Sequence, residues 1–311
     1  MESLFIIMSM ESERHCELNA LGHEIHISRF ILLDMLNKRF ITRNNTIVTL
    51  YEDRKFLYEN LFTNVITHKE FLSQISTGGV VLNICQLSYT PNLTNDKLNQ
   101  FERVVSYPIR SYIPEHIFKA YNVSLPTSEN PNPGLDIKGL LNDIRYRTVD
   151  EALPVNSNFA IIHHRIVSID QPCHVLNNEK DENNLKSIID KVKDKYETIF
   201  IFCKEKRPRF KLESTDIIYV NQLDVYASLM HHEKCDIVIS EWSGAGQLSH
   251  YCHNKKVMYY FHHYEEHGYS SGSSGLLKMA ESGIYDAFDF HRSTDLDIFL
   301  YKTIDDLLDA V

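Results

Sequence analysis

The sequence is poor in the residues that mark several non-globular classes. It has 11 Gly and 9 Pro in 311 residues, which excludes collagen-like and low-complexity chains. Its six Cys are scattered without a C-x-x-C pair, so free buried thiols are favoured over disulfides or a zinc finger. No run of 18 apolar residues occurs, so we expect no membrane insertion. These absences predict a folded, cytoplasmic protein.

Positive charge is also scarce. The chain has 32 Lys+Arg against 42 Asp+Glu, a formal net charge of −10. The densest basic stretch, 204–211, is short and is interpreted as a solvated turn. Because neutralising phosphates dominates affinity for nucleic acid, we expect no nucleic-acid partner.

What the sequence does have is a repeated alternation of short apolar runs and helical patterns. In the first half the apolar runs predict strands at 4–8, 46–51, 64–67 and 79–85. The helical patterns predict helices at 19–39 and 53–61. In the second half strands are predicted at 159–163, 198–203, 216–220, 236–240 and 256–261, with helices at 181–195, 224–232 and 246–253. This alternation predicts an α/β fold with two Rossmann-like domains facing a cleft.

The clearest break in the pattern is the polar, Pro-rich stretch Ser124–Gly134, which can hold neither a helix nor a central strand. It divides the chain into a domain at 1–135 and a second domain at 136–290. Residues 291–311 are predicted to be a helical tail, with the helix at 303–311.

The strongest local signal is the turn Ser243-Gly244-Ala245-Gly246, which follows a buried strand and opens a helix. Glycine lets the backbone approach a ligand, and free N–H groups at a helix start favour a phosphate. The alternative is a tight strand-to-helix connection without a ligand. The letters fit neither a P-loop nor the dinucleotide G-x-G-x-x-G.

A second signal is His163-His164-Arg165, at the end of the first strand of the second half. Arg binds phosphate oxygens in a bidentate manner, and a strand end can hold it firmly. A surface ion pair is the alternative. We predict that these residues and the Ser-Gly-Ala-Gly turn lie at the same edge of one sheet.

In this order, these parts resemble the donor-binding domain of GT-B glycosyltransferases over residues 158–261. The Gly-Ala-Gly turn is also similar to the signature of a family of β-xylosyl and O-linked N-acetylglucosaminyl transferases. The resemblance implies that residues at the strand ends of the second domain bind a nucleotide-sugar. It assigns the diphosphate to Arg165, Ser243, Gly244, Ala245 and Gly246, the flanks of the base to Tyr219, Val220 and Asn221, and the ribose hydroxyls to Glu241. We also expect His164, which can bind an anion, in the donor site.

The first half must then present the acceptor and a catalytic base. Inverting transfer needs a His or a carboxylate to take the proton of the acceptor hydroxyl. The loop after the first strand and the start of the next helix offer five candidates, Glu11, Glu13, His15, His23 and Glu24. We choose His23 first and Glu13 second; a solvated loop residue is the alternative for each.

Two stretches have metal-ligand letters, but we expect neither a metal nor a cofactor. Residues 261–267 hold three His and two Glu before a Gly/Ser-rich run, which favours a mobile loop over a metal site. Asp295-Leu-Asp297 has the Asp-x-Asp letters of GT-A enzymes but lies near the C-terminus, where chance explains it better.

The sequence thus predicts a glycosyltransferase, inverting and metal-independent, that moves a sugar from a nucleotide-sugar to a hydroxyl of a glycan or glycoconjugate. UDP-xylose is the first choice of donor and GDP-fucose the second. The alternatives are a UDP-sugar epimerase of GT-B shape and a non-catalytic, two-lobed binding protein.

Overall fold

The fold was taken from a computed structural model of the chain. The structure describes residues 4–11, 17–18, 21–25, 29, 32, 36, 41–74, 80–83, 103–106, 155–164, 178–203, 210–241, 244–251, 256–260, 297–301 and 303–311. The chain forms two compact units. Unit 1 comprises residues 1–145 and 286–291, and unit 2 comprises residues 146–285 and 292–311.

Unit 1 is built on a parallel sheet of five strands. In chain order these are β1 (Leu4–Ile7), β4 (Thr46–Thr49), β5 (Asn64–Thr67), β6 (Val80–Asn83) and β7 (Arg103–Ser106). In space the order is β5-β4-β1-β6-β7. The side chains of Ile6, Ile7, Ile47 and Val48 are buried, as expected for central strands that are covered on both faces.

Shorter elements connect these strands. An antiparallel ribbon of β2 (Met10–Glu11) and β3 (Glu17–Leu18) follows β1 and leads to α1 (Leu21–His23). A 3₁₀ helix (Glu52–Leu57) follows β4, and α2 (His68–Gln74) follows β5 directly. Phe71 of α2 contacts Phe5 of β1, with ring centroids 5.2 Å apart, so α2 packs on the sheet.

Unit 2 is built on a parallel sheet of six strands. These are β8 (Phe159–His163), β9 (Thr198–Phe202), β10 (Ile217–Val220), β11 (Cys235–Glu241), β12 (Lys256–Tyr260) and β13 (Asp297–Tyr301). Their spatial order is β10-β9-β8-β11-β12-β13. Numbered within the unit this is 3-2-1-4-5-6, the order of Rossmann-type sheets, and unit 1 follows the same scheme with five strands.

The sheet of unit 2 carries helices on both faces. On one face α3 (Asn178–Val192) and α5 (Ile304–Ala310) pack against the even-numbered residues of β8 and the alternate residues of its neighbours. On the other face lies α4 (Leu223–His231), whose Tyr226 contacts His163 and Phe202. A 3₁₀ helix (Gly246–Tyr251) follows β11. None of the helices that the structure describes is long and apolar enough to cross a membrane.

The fold class predicted from the sequence is confirmed at the level of α/β units with parallel sheets flanked by helices. Strands β7 and β13 were not predicted, and β13 makes residues 291–311 more than a helical tail. Two predicted helices, 53–61 and 246–253, are shorter 3₁₀ helices. The Pro-rich stretch 124–134 lies outside the described residues.

Candidate functional site

The strand order of unit 2 singles out one edge of its sheet. From β8 the chain adds β9 and β10 on one side, and it then returns to add β11, β12 and β13 on the other. Ligands of such sheets bind beyond the carboxyl ends of the strands where the direction of addition reverses. Here that point lies between β8 and β11, which pair in parallel with Ser240 opposite His163.

Strand alternation sends the two histidines at the end of β8 to opposite faces of the sheet. His163 lies on the α4 face, where its ring meets Phe202 and Tyr226 with centroids 5.3 Å and 5.9 Å away. His164 lies on the α3 face, where its ring stacks on Tyr260 at 6.0 Å. The adjacent pair therefore serves two separate environments rather than one site.

On the α3 face a buried polar cluster forms at the strand ends; we call His164, Asp181, Glu241 and Tyr260 the His164 cluster. The Nδ1 atom of His164 lies 2.5 Å from the hydroxyl of Tyr260. Glu241 is level with Tyr260 in the β11–β12 register. Burial raises the pKa of Tyr260 well above 10, and the carboxylates of Glu241 and Asp181 raise it further. The phenol is therefore neutral at physiological pH.

On the opposite face His163 meets a serine instead. The Oγ atom of Ser240 lies 3.4 Å from Nδ1 of His163 and donates to the carbonyl of Glu241 at 2.9 Å. Since the hydroxyl proton goes to that carbonyl, Oγ accepts a hydrogen bond from His163 Nδ1. This pair fastens the end of β8 to the end of β11.

The glycine turn after β11 combines an open part with a tightly packed part. Gly244 and Ala245 are partly exposed, whereas Gly246 is buried. A Cβ atom on Gly246 would lie 2.1 Å from Ser240 Oγ and 2.9 Å from the carbonyl oxygen of Glu241. The carbonyl of Gly246 also accepts hydrogen bonds from the hydroxyls of Ser249 and Tyr259. Close packing accounts for Gly246, so of the described residues of this turn Gly244 and Ala245 are open to a ligand.

The N-terminus of α3, the first helix of unit 2, is a less favourable position for an anion than the glycine turn. The first turn of α3 carries Glu179 and the buried Asp181. Negative side chains there already interact with the positive end of the helix dipole, so this helix start does not favour an anion. An anion at this sheet edge is therefore best placed at the turn after β11.

Unit 1 has its own buried polar group at the carboxyl ends of β1 and β4; we call Ser9, Glu24, Thr49, Arg54 and Tyr58 the Glu24 cluster. Glu24 accepts hydrogen bonds from Thr49 at 2.8 Å, Arg54 at 2.7 Å and Tyr58 at 2.7 Å. The hydroxyls of Ser9 and Thr49 lie 3.2 Å apart. Burial lowers the pKa of Arg54 to about 10, so its guanidinium still carries a charge at neutral pH.

A second buried titratable group of unit 1 is His68, at the start of α2. It is 4% exposed and lies against Phe71, with ring centroids 6.3 Å apart. Its Nε2 atom has no hydrogen-bond partner in the part of the chain that the structure describes. Burial lowers its pKa from 6.5 to about 4. This histidine is therefore neutral over the physiological range.

Some of the residues predicted from the sequence come together and others do not. His164 directly follows β8 and Glu241 ends the neighbouring β11, and Gly244, Ala245 and Gly246 begin three positions after Glu241. Tyr219 and Val220 are in the edge strand β10, and Asn221 follows it exposed. The hydroxyl of Tyr219 accepts a hydrogen bond from the Leu212 amide. His23 lies in α1; Glu13, Arg165 and Ser243 lie outside the described residues.

Sequence reasoning missed the tyrosines of both clusters. Tyr260 lies in the predicted strand 256–261, and in the structure it ends β12 level with Glu241. The alternation of side chains along a strand is the signal that could have placed it on this face. Tyr58 and Arg54 carry no such signal, because they reach Glu24 from a 3₁₀ helix 30 or more residues away. No local pattern predicts that contact.

The described residues hold no group of three or more His, Cys, Asp or Glu that could bind a metal ion. The His-rich stretch 261–267 lies outside them, so the structure does not test it. Of the Asp-x-Asp letters, Asp297 is the first residue of β13. Comparison with known proteins adds no family: no protein-family model matches the chain, and no curated protein sequence matches it.

Proposed function

We propose that the chain is a nucleotide-sugar-dependent glycosyltransferase of the GT-B type, in which unit 2 binds the donor and unit 1 presents the acceptor. One observation carries the proposal. The strand-order reversal of a 3-2-1-4-5-6 sheet coincides with a partly exposed Gly244–Ala245 turn and a buried His164 and Glu241. Sheets of this order bind nucleotides at that point.

The chemistry of the transfer assigns a role to each part of this edge. As the glycosidic bond to phosphate breaks, negative charge develops on the departing diphosphate. Hydrogen-bond donors fixed beforehand stabilise that charge, and the candidates are the amides of the Gly244–Ala245 turn, His164 and Arg165. Glu241 can accept hydrogen bonds from ribose hydroxyls. We propose that this set acts without a metal and with no cofactor.

The hydrogen bonds of Glu24 argue against this carboxylate as the catalytic base in unit 1. Glu24 already accepts three hydrogen bonds, one of them from a guanidinium, so its carboxylate is a poor proton acceptor. Instead, the hydrogen bond between Glu24 and Thr49 attaches the segment after α1 to β4. We therefore retain His23 as the proposed base, with Glu13 as the second choice, for inverting transfer to a glycan hydroxyl.

A thermal-shift screen of the whole chain against UDP-, GDP-, ADP- and CMP-sugars tests the donor assignment. UDP-xylose is the first expected ligand and GDP-fucose the second. A ligand at 100 times its Kd stabilises by about 2.7 kcal/mol. Arg165→Ala should abolish the shift. Lys256→Ala is the matched control, since Lys256 is the first residue of β12 and so lies at the amino ends of the strands, away from the proposed donor site.

The outcomes separate the proposal from its alternatives. A binding donor that is transferred only when a glycan acceptor is present supports the transferase. Conversion of the donor sugar without an acceptor would make the chain an epimerase instead. Absence of a shift with every nucleotide-sugar would remove the donor site and leave a two-lobed binding protein.

A further inference from the structure

We infer that Tyr260 is a positioning residue: its hydroxyl donates to Nδ1 of His164 and so holds that imidazole with its proton on Nε2, as a hydrogen-bond donor to a phosphate oxygen of a nucleoside diphosphate. The identity of the ligand rests on the proposed function. The state of the ring does not, because the tyrosine sets it in the protein without ligand.

The geometry of the pair is that of a direct, oriented hydrogen bond. The hydroxyl of Tyr260 and Nδ1 of His164 are 2.5 Å apart. The two ring planes are inclined by 14°, and both residues are fully buried. Stacking and the hydrogen bond together restrict rotation of the imidazole, although 96 residues separate the two positions in the chain.

The direction of the hydrogen bond follows from what each partner can do. Among the described residues, the hydroxyl of Tyr260 makes a hydrogen bond only to His164. If it accepted from Nδ1–H, its own buried proton would have no acceptor among the described residues, which is unfavourable. Donation by the phenol avoids that cost. The neighbouring carboxylates of Asp181 and Glu241 also keep the phenol protonated.

A neutral imidazole has one donor and one acceptor nitrogen. With Nδ1 accepting from Tyr260, the proton of His164 is on Nε2. The neighbouring His163 is expected in the opposite state, because its Nδ1 donates to Ser240. A donor at the end of β8 can bind a phosphate oxygen at the edge where the nucleotide is proposed to lie. Fixing the tautomer in advance removes a reorganisation step from binding.

Nitrogen-15 NMR of the full chain labelled in histidine tests the ring state directly. His164→Gln assigns the signals of this ring, and the spectrum is recorded without ligand at neutral pH. We expect Nδ1 of His164 to be unprotonated and Nε2 to carry the proton. Tyr260→Phe should shift His164 towards the other tautomer. Tyr196→Phe is the matched control, because its buried hydroxyl bonds Asp236 near the start of β11.

Three spectra would overturn the ring state. These are a proton on Nδ1 in the unchanged protein, a doubly protonated ring, and a ring whose signals do not move in Tyr260→Phe. In the last case the tyrosine only fills space. The spectrum of the unchanged protein tests the ring state by itself. The inference can therefore be rejected even if Tyr260→Phe does not fold.

Titration with UDP and, separately, GDP tests the ligand. For the nucleotide that binds, Tyr260→Phe should raise Kd by about tenfold, equal to about 1.4 kcal/mol, and Tyr196→Phe should leave it unchanged. An equal Kd in both variants would overturn the role in phosphate binding. If neither nucleotide binds the unchanged protein, the proposed function fails and the phosphate role fails with it. The ring state is still judged by NMR.

Discussion

The two units carry polar clusters at equivalent places, the carboxyl ends of their first strands, but the chemistry of the clusters differs. The Glu24 cluster joins a carboxylate to a guanidinium 2.7 Å away and adds two hydroxyl donors. In the described part of unit 2, the His164 cluster instead joins an imidazole to a neutral phenol, with two carboxylates nearby. The partly exposed turn at Gly244–Ala245 follows the strand that ends at Glu241 of the second cluster.

This difference separates a stabilising cluster from one suited to recognition. In the Glu24 cluster the buried charges are matched and hydrogen-bonded, so losing one partner leaves the other charge uncompensated. In the His164 cluster the phenol is neutral, and the proposed tautomer of the imidazole would donate from Nε2 to a ligand. We therefore expect changes in unit 1 to affect mainly stability, and changes in unit 2 to affect mainly binding.

Glu24→Gln should produce the largest loss of stability, about 3–5 kcal/mol, because it leaves Arg54 charged and buried without its carboxylate. Urea denaturation measures the loss of stability, and hydrogen exchange of the β1 and β4 amides shows whether it is located in unit 1. Glu52→Gln is the control: that carboxylate is 73% exposed in its ion pair with Lys55, so its loss costs less than about 1 kcal/mol. Similar effects of the two changes would contradict the comparison.

The second prediction concerns the stability of unit 1 at acid pH, which depends on the buried His68. The folded-state pKa of His68 is about 4 against 6.5 in the unfolded chain. Between these values the unfolded chain binds a proton that the folded chain does not, so stability falls as pH falls from 6.5 to 4. The loss reaches about 3 kcal/mol. His68→Phe should flatten this part of the stability–pH curve; a curve of unchanged slope would contradict the assignment.

Gly246→Ala should destabilise unit 2 by about 1–3 kcal/mol, because the added methyl group overlaps Ser240 Oγ and the carbonyl of Glu241. Chemical denaturation measures the change. Combining it with Ser240→Ala removes the closer contact and should recover part of the stability, since neighbouring changes are not additive. If the two losses simply add, the close approach does not explain why glycine is present.

The smallest expected effect is a difference between two matched changes. Tyr58→Phe removes a hydrogen bond to the charged Glu24, which costs about 1.5–3 kcal/mol. Tyr260→Phe removes one to a neutral imidazole, which costs about 0.5–1.5 kcal/mol. Denaturation of both variants should give the larger loss for Tyr58→Phe. The reverse order would mean that the His164 cluster is the more important for stability.

Most strand positions were predicted well, that of the edge strand β5 included, because each predicted strand is a short run that contains apolar residues. Residues 64–67 and 159–163 have the predicted bounds, and 46–49 and 198–202 differ only at one end. The edge strands β7 and β13 were missed. Phe299 of β13 is 42% exposed, so its segment need not be wholly apolar to join the sheet.

The site was predicted in part. The sequence placed His164 and Glu241 at strand ends, and parallel pairing of β8 with β11 puts those ends at one edge. It could not separate the role of Gly246 from those of Gly244 and Ala245, because the distinction depends on the packing of Ser240 against that position. It also ranked Glu24 with the other acids of its loop, since the contacts of Glu24 with Arg54 and Tyr58 leave no local signal in the sequence.

Apolar runs, their spacing and the polar residues at their ends were enough to imply parallel sheets with helices between the strands, since hydrophobic periodicity is a local property of the chain. Which strands became neighbours, which face each side chain took, and which distant hydroxyl met Glu24 or His164 came from folding alone. Those choices are made by hydrogen bonds and packing between segments 25 to 96 residues apart, and no local stretch of sequence contains both partners.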